Sequence, residues 1–128
     1  EISKWPDIGV ANITRVTRKI VNRISEDDCL ELFSSPVVEA YPSIAGAYLS
    51  IIEKPMDLRT IEEERVHVYH SINMLQEDLI LMFQNCCTYN GRQSEYGAMA
   101  VSHVEALNQT FLEVCQELKI LLPRRWKP

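Results

Sequence analysis

The chain has 128 residues, enough for one domain with one core, and its 46% hydrophobic and 24% charged residues are an ordinary globular balance. A formal net charge of −5 and a pI near 5.2 disfavour direct nucleic-acid binding and suit a basic partner such as a lysine-rich peptide. With only four glycines and no alternating run that reads as a strand, the composition points away from a sheet. No apolar run reaches the ~18 residues of a membrane span.

Residues 1–9 contain Trp5-Pro6-Asp7 and read as an irregular lead-in. From about Val10 the apolar residues Ile13, Val16, Ile20 and Ile24 recur at 3, 4 and 4, the spacing of one helical face. The pattern runs on through Cys29 and Leu32, predicting a first helix over 10–33. The acidic Glu26, Asp27, Asp28 and Glu31 oppose the helix dipole there, so a break near Ser25 is compatible with it.

Residues 34–55 hold Pro36, Pro42 and Pro55, which excludes one long helix. Yet the segment is rich in Val37, Val38, Ile44, Tyr48, Leu49, Ile51 and Ile52, more apolar surface than a free linker carries. A connection of this length in a compact domain is usually functional. It should fold back onto the bundle and build one wall of a pocket.

Asp57 is a candidate N-cap for a short helix, Leu58 to Arg65, and Ser71 for a third helix over 72–89. The third carries Ile72, Leu75, Leu79, Phe83 and Cys86 on one face, and four residues further along the same stripe sits Asn90. A buried amide left unpaired costs roughly 1–3 kcal/mol, so it needs a partner. Two readings follow: Asn90 caps the helix ahead of a turn at Gly91, or it faces a pocket and donates to a ligand carbonyl. Tyr48 likewise reads either as a residue packed on the bundle with a wet hydroxyl or as part of that pocket. A fourth helix, Glu95 to Leu122, has the stripe Val101, Val104, Leu107, Phe111, Val114 or Cys115, Leu118 and Leu122. Pro123 and the basic tail 123–128 end it.

The four cysteines, Cys29, Cys86, Cys87 and Cys115, read as reduced core residues of an intracellular protein, since adjacent helical cysteines diverge by about 100°. The glycosylation-like triplets at Asn12 and Asn108 fall inside predicted helices and read as chance matches. Cys86 or Cys87 with His67, His70 or His103 is the only catalytic cast, with no oxyanion motif, and no metal-ligand spacing occurs. The three histidines read as surface or loop residues. A first residue of Glu1 rather than Met suggests a piece of a larger protein.

Several stretches together resemble the bromodomain family: Phe33-Ser34-Ser35-Pro36-Val37, Tyr48-Leu49-Ser50-Ile51-Ile52-Glu53-Lys54-Pro55-Met56-Asp57-Leu58, Tyr69-His70-Ser71 and Asn85-Cys86-Cys87-Thr88-Tyr89-Asn90. The resemblance runs from about Ile13 to Leu122 and sets the domain at 10–122. It implies an all-α, left-handed antiparallel four-helix bundle with a long loop between the first and second helices. It also implies a non-enzymatic, nuclear reader of acetyl-lysine on histone tails or other acetylated proteins, with no cofactor. The expected partner is an acetylated peptide, without nucleic acid or membrane, and the isolated domain is expected to be monomeric.

By the same resemblance, Asn90 holds the acetyl carbonyl directly and Tyr48 reaches it through a water. Val37 and Phe33 line the floor and wall, Cys86 and Tyr89 back the pocket, and Tyr96 guards its mouth. The sequence departs from the family pattern at Glu31-Leu32, where some relatives carry an aromatic shelf. It departs again at Gly46-Ala47, and in a Val37-to-Tyr48 spacing one residue longer than in several members. The rival reading is a helical protein-interaction module whose pocket goes unused.

Overall fold

The computed structural model describes residues 4–28, 31–124 and 126–128. Six α-helices occur among them: α1 (Val10–Asp27), α2 (Val37–Ala40), α3 (Ala45–Ile51), α4 (Leu58–Glu63), α5 (Ile72–Asn90) and α6 (Glu95–Glu117). Short 3₁₀ turns lie at Pro42–Ile44 and Arg65–His67. Helices α1, α4, α5 and α6 form the bundle, and the segment with α2 and α3 crosses one end of it.

The apolar stripes meet as their spacing dictates. Ile13, Val16, Ile20 and Ile24 of α1 are buried, as are Ile72, Leu75, Leu79 and Phe83 of α5. Leu107, Phe111, Val114 and Cys115 of α6 complete the core with Leu58 and Ile61 of α4. Each such aliphatic or aromatic side chain contributes about 1.5–3 kcal/mol by leaving water. The expected N-caps form: the Asp57 carboxylate accepts from the Thr60 amide at 3.0 Å, and the Ser71 hydroxyl from the Met74 amide at 3.2 Å.

Two helices end sooner than their periodicity suggests. The first stops at Asp27 rather than 33 because the Asp28 carboxylate turns back on the chain. It accepts the amides of Leu32 and Phe33, each at 2.8 Å, and the Ser34 hydroxyl at 3.3 Å. The last stops at Glu117 rather than 122 in a Schellman turn. The Ile120 amide reaches Cys115 O at 2.9 Å and the Lys119 amide reaches Gln116 O at 3.1 Å. Lys119 takes the left-handed position, at φ 57°, where glycine is usual.

The segment after Phe33 is not a plain loop. Its prolines start short helical pieces, Pro36 ahead of α2 and Pro42 in a 3₁₀ turn. It is tied down at both ends: the Leu58 amide donates to Phe33 O at 2.8 Å, and Asn85 Nδ2 of α5 donates to Lys54 O at 2.8 Å.

At the opposite end of the bundle the chain termini meet. Residues 4–9 are irregular, yet Trp5 is buried against Phe111 and Trp126. Its amide donates to Asn73 Oδ1 at 2.7 Å, and Trp126 Nε1 donates to Lys4 O at 2.7 Å. Cys86, Cys87 and Cys115 are free thiols, Cys115 alone of the three being fully buried; Cys29 lies outside the described residues. Asn12 and Asn108 do lie within helices.

Candidate functional site

Where the crossing segment meets the ends of α5 and α6, a cavity of about 220 Å³ opens. It is lined by Phe33, Val37, Tyr48, Cys86, Tyr89, Asn90 and Tyr96, all seven of the residues singled out in the sequence. Leu32, Tyr41, Ile44, Met56 and Met82 complete it. Met56 stands inside one of the motifs that carried the resemblance, and Met82 lies one turn before another, on α5. Tyr41 and Ile44 stand in the part of the segment whose register the sequence left open.

Each wall is placed by a specific contact. The Asp28 clamp sets Phe33, whose ring meets Phe83 edge-on at 5.1 Å. Tyr48 rides on α3, only 4% exposed, with its ring 5.0 Å from that of Tyr89. Among the described residues none hydrogen-bonds the Tyr48 hydroxyl.

The α5–α6 turn fixes Asn90 and Tyr96. Gly91 ends α5 at φ 91° and ψ 136°, a conformation open to glycine, and makes the turn expected there. Ser94 caps α6, accepting from the Gly97 amide at 3.0 Å. Gly97 is obligatory: a Cβ there would sit 1.8 Å from Gly91 O. Tyr96 is 40% exposed at the mouth, and its carbonyl accepts the Cys86 thiol at 3.5 Å.

The Asn90 carboxamide is partly engaged by its own helix, Nδ2 donating to Cys86 O at 3.1 Å with Cys86 Sγ at 3.6 Å. One N–H is thereby held on the backbone while the residue remains open to the cavity. The capping and pocket readings are thus compatible, because the bonds to Cys86 O and Sγ orient an amide that still lines the cavity.

The lining carries no carboxylate, ammonium, guanidinium or imidazole. Burial raises the Tyr48 hydroxyl pKa, helped by Cys86, Asp57 and Tyr89. Burial also raises the Cys86 thiol, with the Asn90 hydrogen bond pulling the other way. Both groups stay protonated near neutral pH, so the cavity is uncharged, its polar groups being the Asn90 amide, the Cys86 thiol and the tyrosine hydroxyls, of which that of Tyr48 is the most buried. Contrary to expectation, His103 is neither loop nor freely exposed. It lies on α6, stacked flat on Phe83 at 5.0 Å, and burial lowers its pKa against the pull of Asp27 and Asp28. Among the described residues no group of three His, Cys, Asp or Glu side chains could hold a metal ion.

A helical bundle that closes one end and keeps a neutral, side-chain-sized cavity at the other is a binding module. Residues 17–102 match the family model of the bromodomain, and the chain belongs to that family. It is 31% identical over 90 residues to mouse bromodomain and PHD finger-containing protein 3, a match covering 69% of this chain and 7% of that protein. It is 36% identical over 72 residues to the SWR1 complex bromodomain subunit of Schizosaccharomyces pombe, covering 56% of this chain and 12% of that protein. The chain thus spans only a small fraction of its curated relatives. A Leishmania donovani bromodomain solved with bromosporine superposes with a TM-score of 0.65 at 21% identity, covering 87% of this chain and 89% of that one. The all-helical, left-handed four-helix fold expected from the sequence is the fold observed.

Proposed function

We propose that the domain reads acetylated lysine on histone tails or other acetylated proteins of the nucleus. In this reading Asn90 Nδ2 keeps its bond to Cys86 O and turns an N–H from Cys86 Sγ to the acetyl carbonyl. The Tyr48 hydroxyl holds a water that donates to the same oxygen, and Phe33, Val37 and Cys86 receive the methyl group. Tyr89 backs the pocket and Tyr96 lies along the peptide at its mouth.

The observation that supports this most is the absence of any charged group from the cavity lining. An unmodified lysine would bring an ammonium into an apolar site with no acid to pair it, at a cost of several kcal/mol. Acetylation removes the charge and supplies an amide carbonyl and a methyl group, the two features the lining can satisfy. Selectivity then comes mainly from rejection of the charged form. One side chain buries little area, so affinity should be modest and firm recruitment needs a second contact. Membership of the bromodomain family, with a relative named as an SWR1 complex subunit, supports the location and the histone partner.

Titration of acetylated and unmodified histone-tail peptides, followed by the NMR amide signals of Asn90 and Tyr96, tests the reading. Both tryptophans sit at the far end of the bundle, so their fluorescence is the wrong probe. Acetyl-selective shifts that disappear in Asn90→Ala, with the fold unchanged by circular dichroism, are expected. Equal shifts with both peptides would instead favour the interaction-module reading.

A further inference from the structure

Of the three phenylalanines, two tryptophans and five tyrosines, only Tyr41 and Tyr96 are exposed, at 44% and 40%. Both also line the cavity, Tyr41 from the crossing segment and Tyr96 from the start of α6, so they stand at its mouth. Neither backbone is loose. Tyr41 joins α2 to the 3₁₀ turn, its amide donating to Val37 O at 2.8 Å and its carbonyl accepting from the Ile44 amide at 3.1 Å. Tyr96 is the second residue of α6, beside the turn that the close approach of Gly97 to Gly91 fixes, and its carbonyl accepts the Cys86 thiol. Two aromatic rings are thus left open to water on fixed backbones.

An aromatic ring carries a negative face, and a cation within about 6 Å of its centre is attracted there. At an exposed rim the cation keeps most of its water, so the penalty that bars an ammonium from the apolar interior does not arise. Arginine suits such faces better than lysine, because its guanidinium is planar and more weakly hydrated. Acids stand beside the rim. Glu95 precedes Tyr96, and Glu31 precedes the lining residue Leu32; both are exposed, and neither forms an ion pair among the described residues. Arg92, the cation of the α5–α6 turn, lines a separate groove with Glu105.

The spacing of a peptide decides which of its residues meets the rim. In an extended chain, side chains two residues apart face the same way, about 7 Å from one another. With an acetyl-lysine in the cavity, such a neighbour comes down at the mouth. From this we infer that Tyr41 and Tyr96 are specificity-determining residues that select an arginine two positions from the acetyl-lysine, holding its guanidinium on their ring faces. This preference rests on the acetyl-lysine reading and names the class of peptide within it. The interior refuses a cation and the rim recruits one, so the mark is read in a basic sequence.

The test is isothermal titration calorimetry of this chain with acetyl-lysine peptides that carry arginine two residues before or two residues after the mark. Each is paired with a citrulline peptide, which keeps the planar side chain and loses the charge. In one of the two placements arginine should tighten binding about fivefold over citrulline, the order of an exposed cation–π contact supported by an acid. Lysine in that position should fall between them. Tyr41→Leu should reduce the preference and Tyr41→Leu with Tyr96→Leu should abolish it, whatever either does to affinity as a whole. Tyr41→Phe with Tyr96→Phe should retain it, because the rings remain. Equal binding of arginine and citrulline peptides in both placements, with acetyl-selectivity intact, would overturn this inference alone. A preference that survives in the leucine pair would belong to the net charge of −5 and would overturn it too. Equal binding of acetylated and unmodified peptides would bring down the acetyl-lysine reading, and the rim preference with it.

Discussion

The two ends of this bundle begin from the same helices and finish differently. At the terminal end, Trp5 packs between Phe111 and Trp126, with tilted rings, and closes the bundle. At the other end, the crossing segment arches over the helix ends and is pinned at Phe33–Leu58 and Lys54–Asn85 without filling the space beneath. The α5 stripe records the change: Ile72, Leu75, Leu79 and Phe83 are buried, Cys86 is half-exposed, and Asn90 opens to the cavity. Large side chains are committed where the domain needs closure, and a hole is kept where it needs a ligand. If that division is real, the two ends can be damaged separately.

Trp5→Ala should produce the largest loss. Removing a buried tryptophan typically costs about 3–5 kcal/mol, and Trp5 also joins two termini distant in sequence. Urea denaturation should show the midpoint falling sharply, while the folded fraction binds acetyl-peptide with unchanged affinity. A parallel fall in affinity would mean that the ends are coupled.

Asp28→Ala should come next, and it should damage stability and binding together. Its carboxylate satisfies two backbone amides and a hydroxyl, and charged hydrogen bonds of this kind contribute about 1.5–3 kcal/mol each. Losing them frees Phe33, so affinity should fall severalfold along with the melting temperature. Loss of stability with full affinity would show that Phe33 is held by Phe83 and Leu58 alone.

Much of this was readable from spacing and some was not. The stripes of α1, α5 and α6 and the caps at Asp57 and Ser71 follow from local rules, and the structure reproduces them. Asp28 looked like an unfavourable acid inside a helix because its partners become visible only once the chain folds back. Lys119 carries no sequence sign that it will take a left-handed turn. Trp5 sits in an irregular segment with no period to betray its burial. Asn90 is the instructive residue at the site: its place on the stripe was plain, but periodicity could not separate a cap from a pocket amide. Motif resemblance favoured the pocket, and the geometry shows the amide bonded to Cys86 O while facing the cavity. Tyr41 and Ile44 escaped because the register of a proline-broken segment is not set by periodicity.

Tyr48→Phe makes a finer cut at the cavity end. The ring keeps its packing on Tyr89, and only the hydroxyl goes. If that hydroxyl holds a water against the acetyl carbonyl, affinity should drop by about 0.5–1.5 kcal/mol, roughly two- to tenfold, with little change in stability. Unchanged affinity by isothermal titration calorimetry would remove Tyr48 from recognition and leave it a wall.

The smallest effect should come from His103, which lies behind the cavity wall on Phe83 and close to the Asp28 clamp. Burial lowers its pKa in the folded state, partly offset by Asp27 and Asp28. Between that lowered value and the ordinary ~6.5, the unfolded chain binds more protons, so stability rises with pH through this window and is flat above it. The melting temperature should therefore fall slightly on going from pH 7.5 to 5.5, and His103→Gln should reduce that fall. Because Phe33 also contacts the imidazole, at 6.1 Å, any accompanying loss of acetyl-peptide affinity at pH 5.5 should shrink in the same variant. A pH response identical in the two proteins would remove His103 as its source.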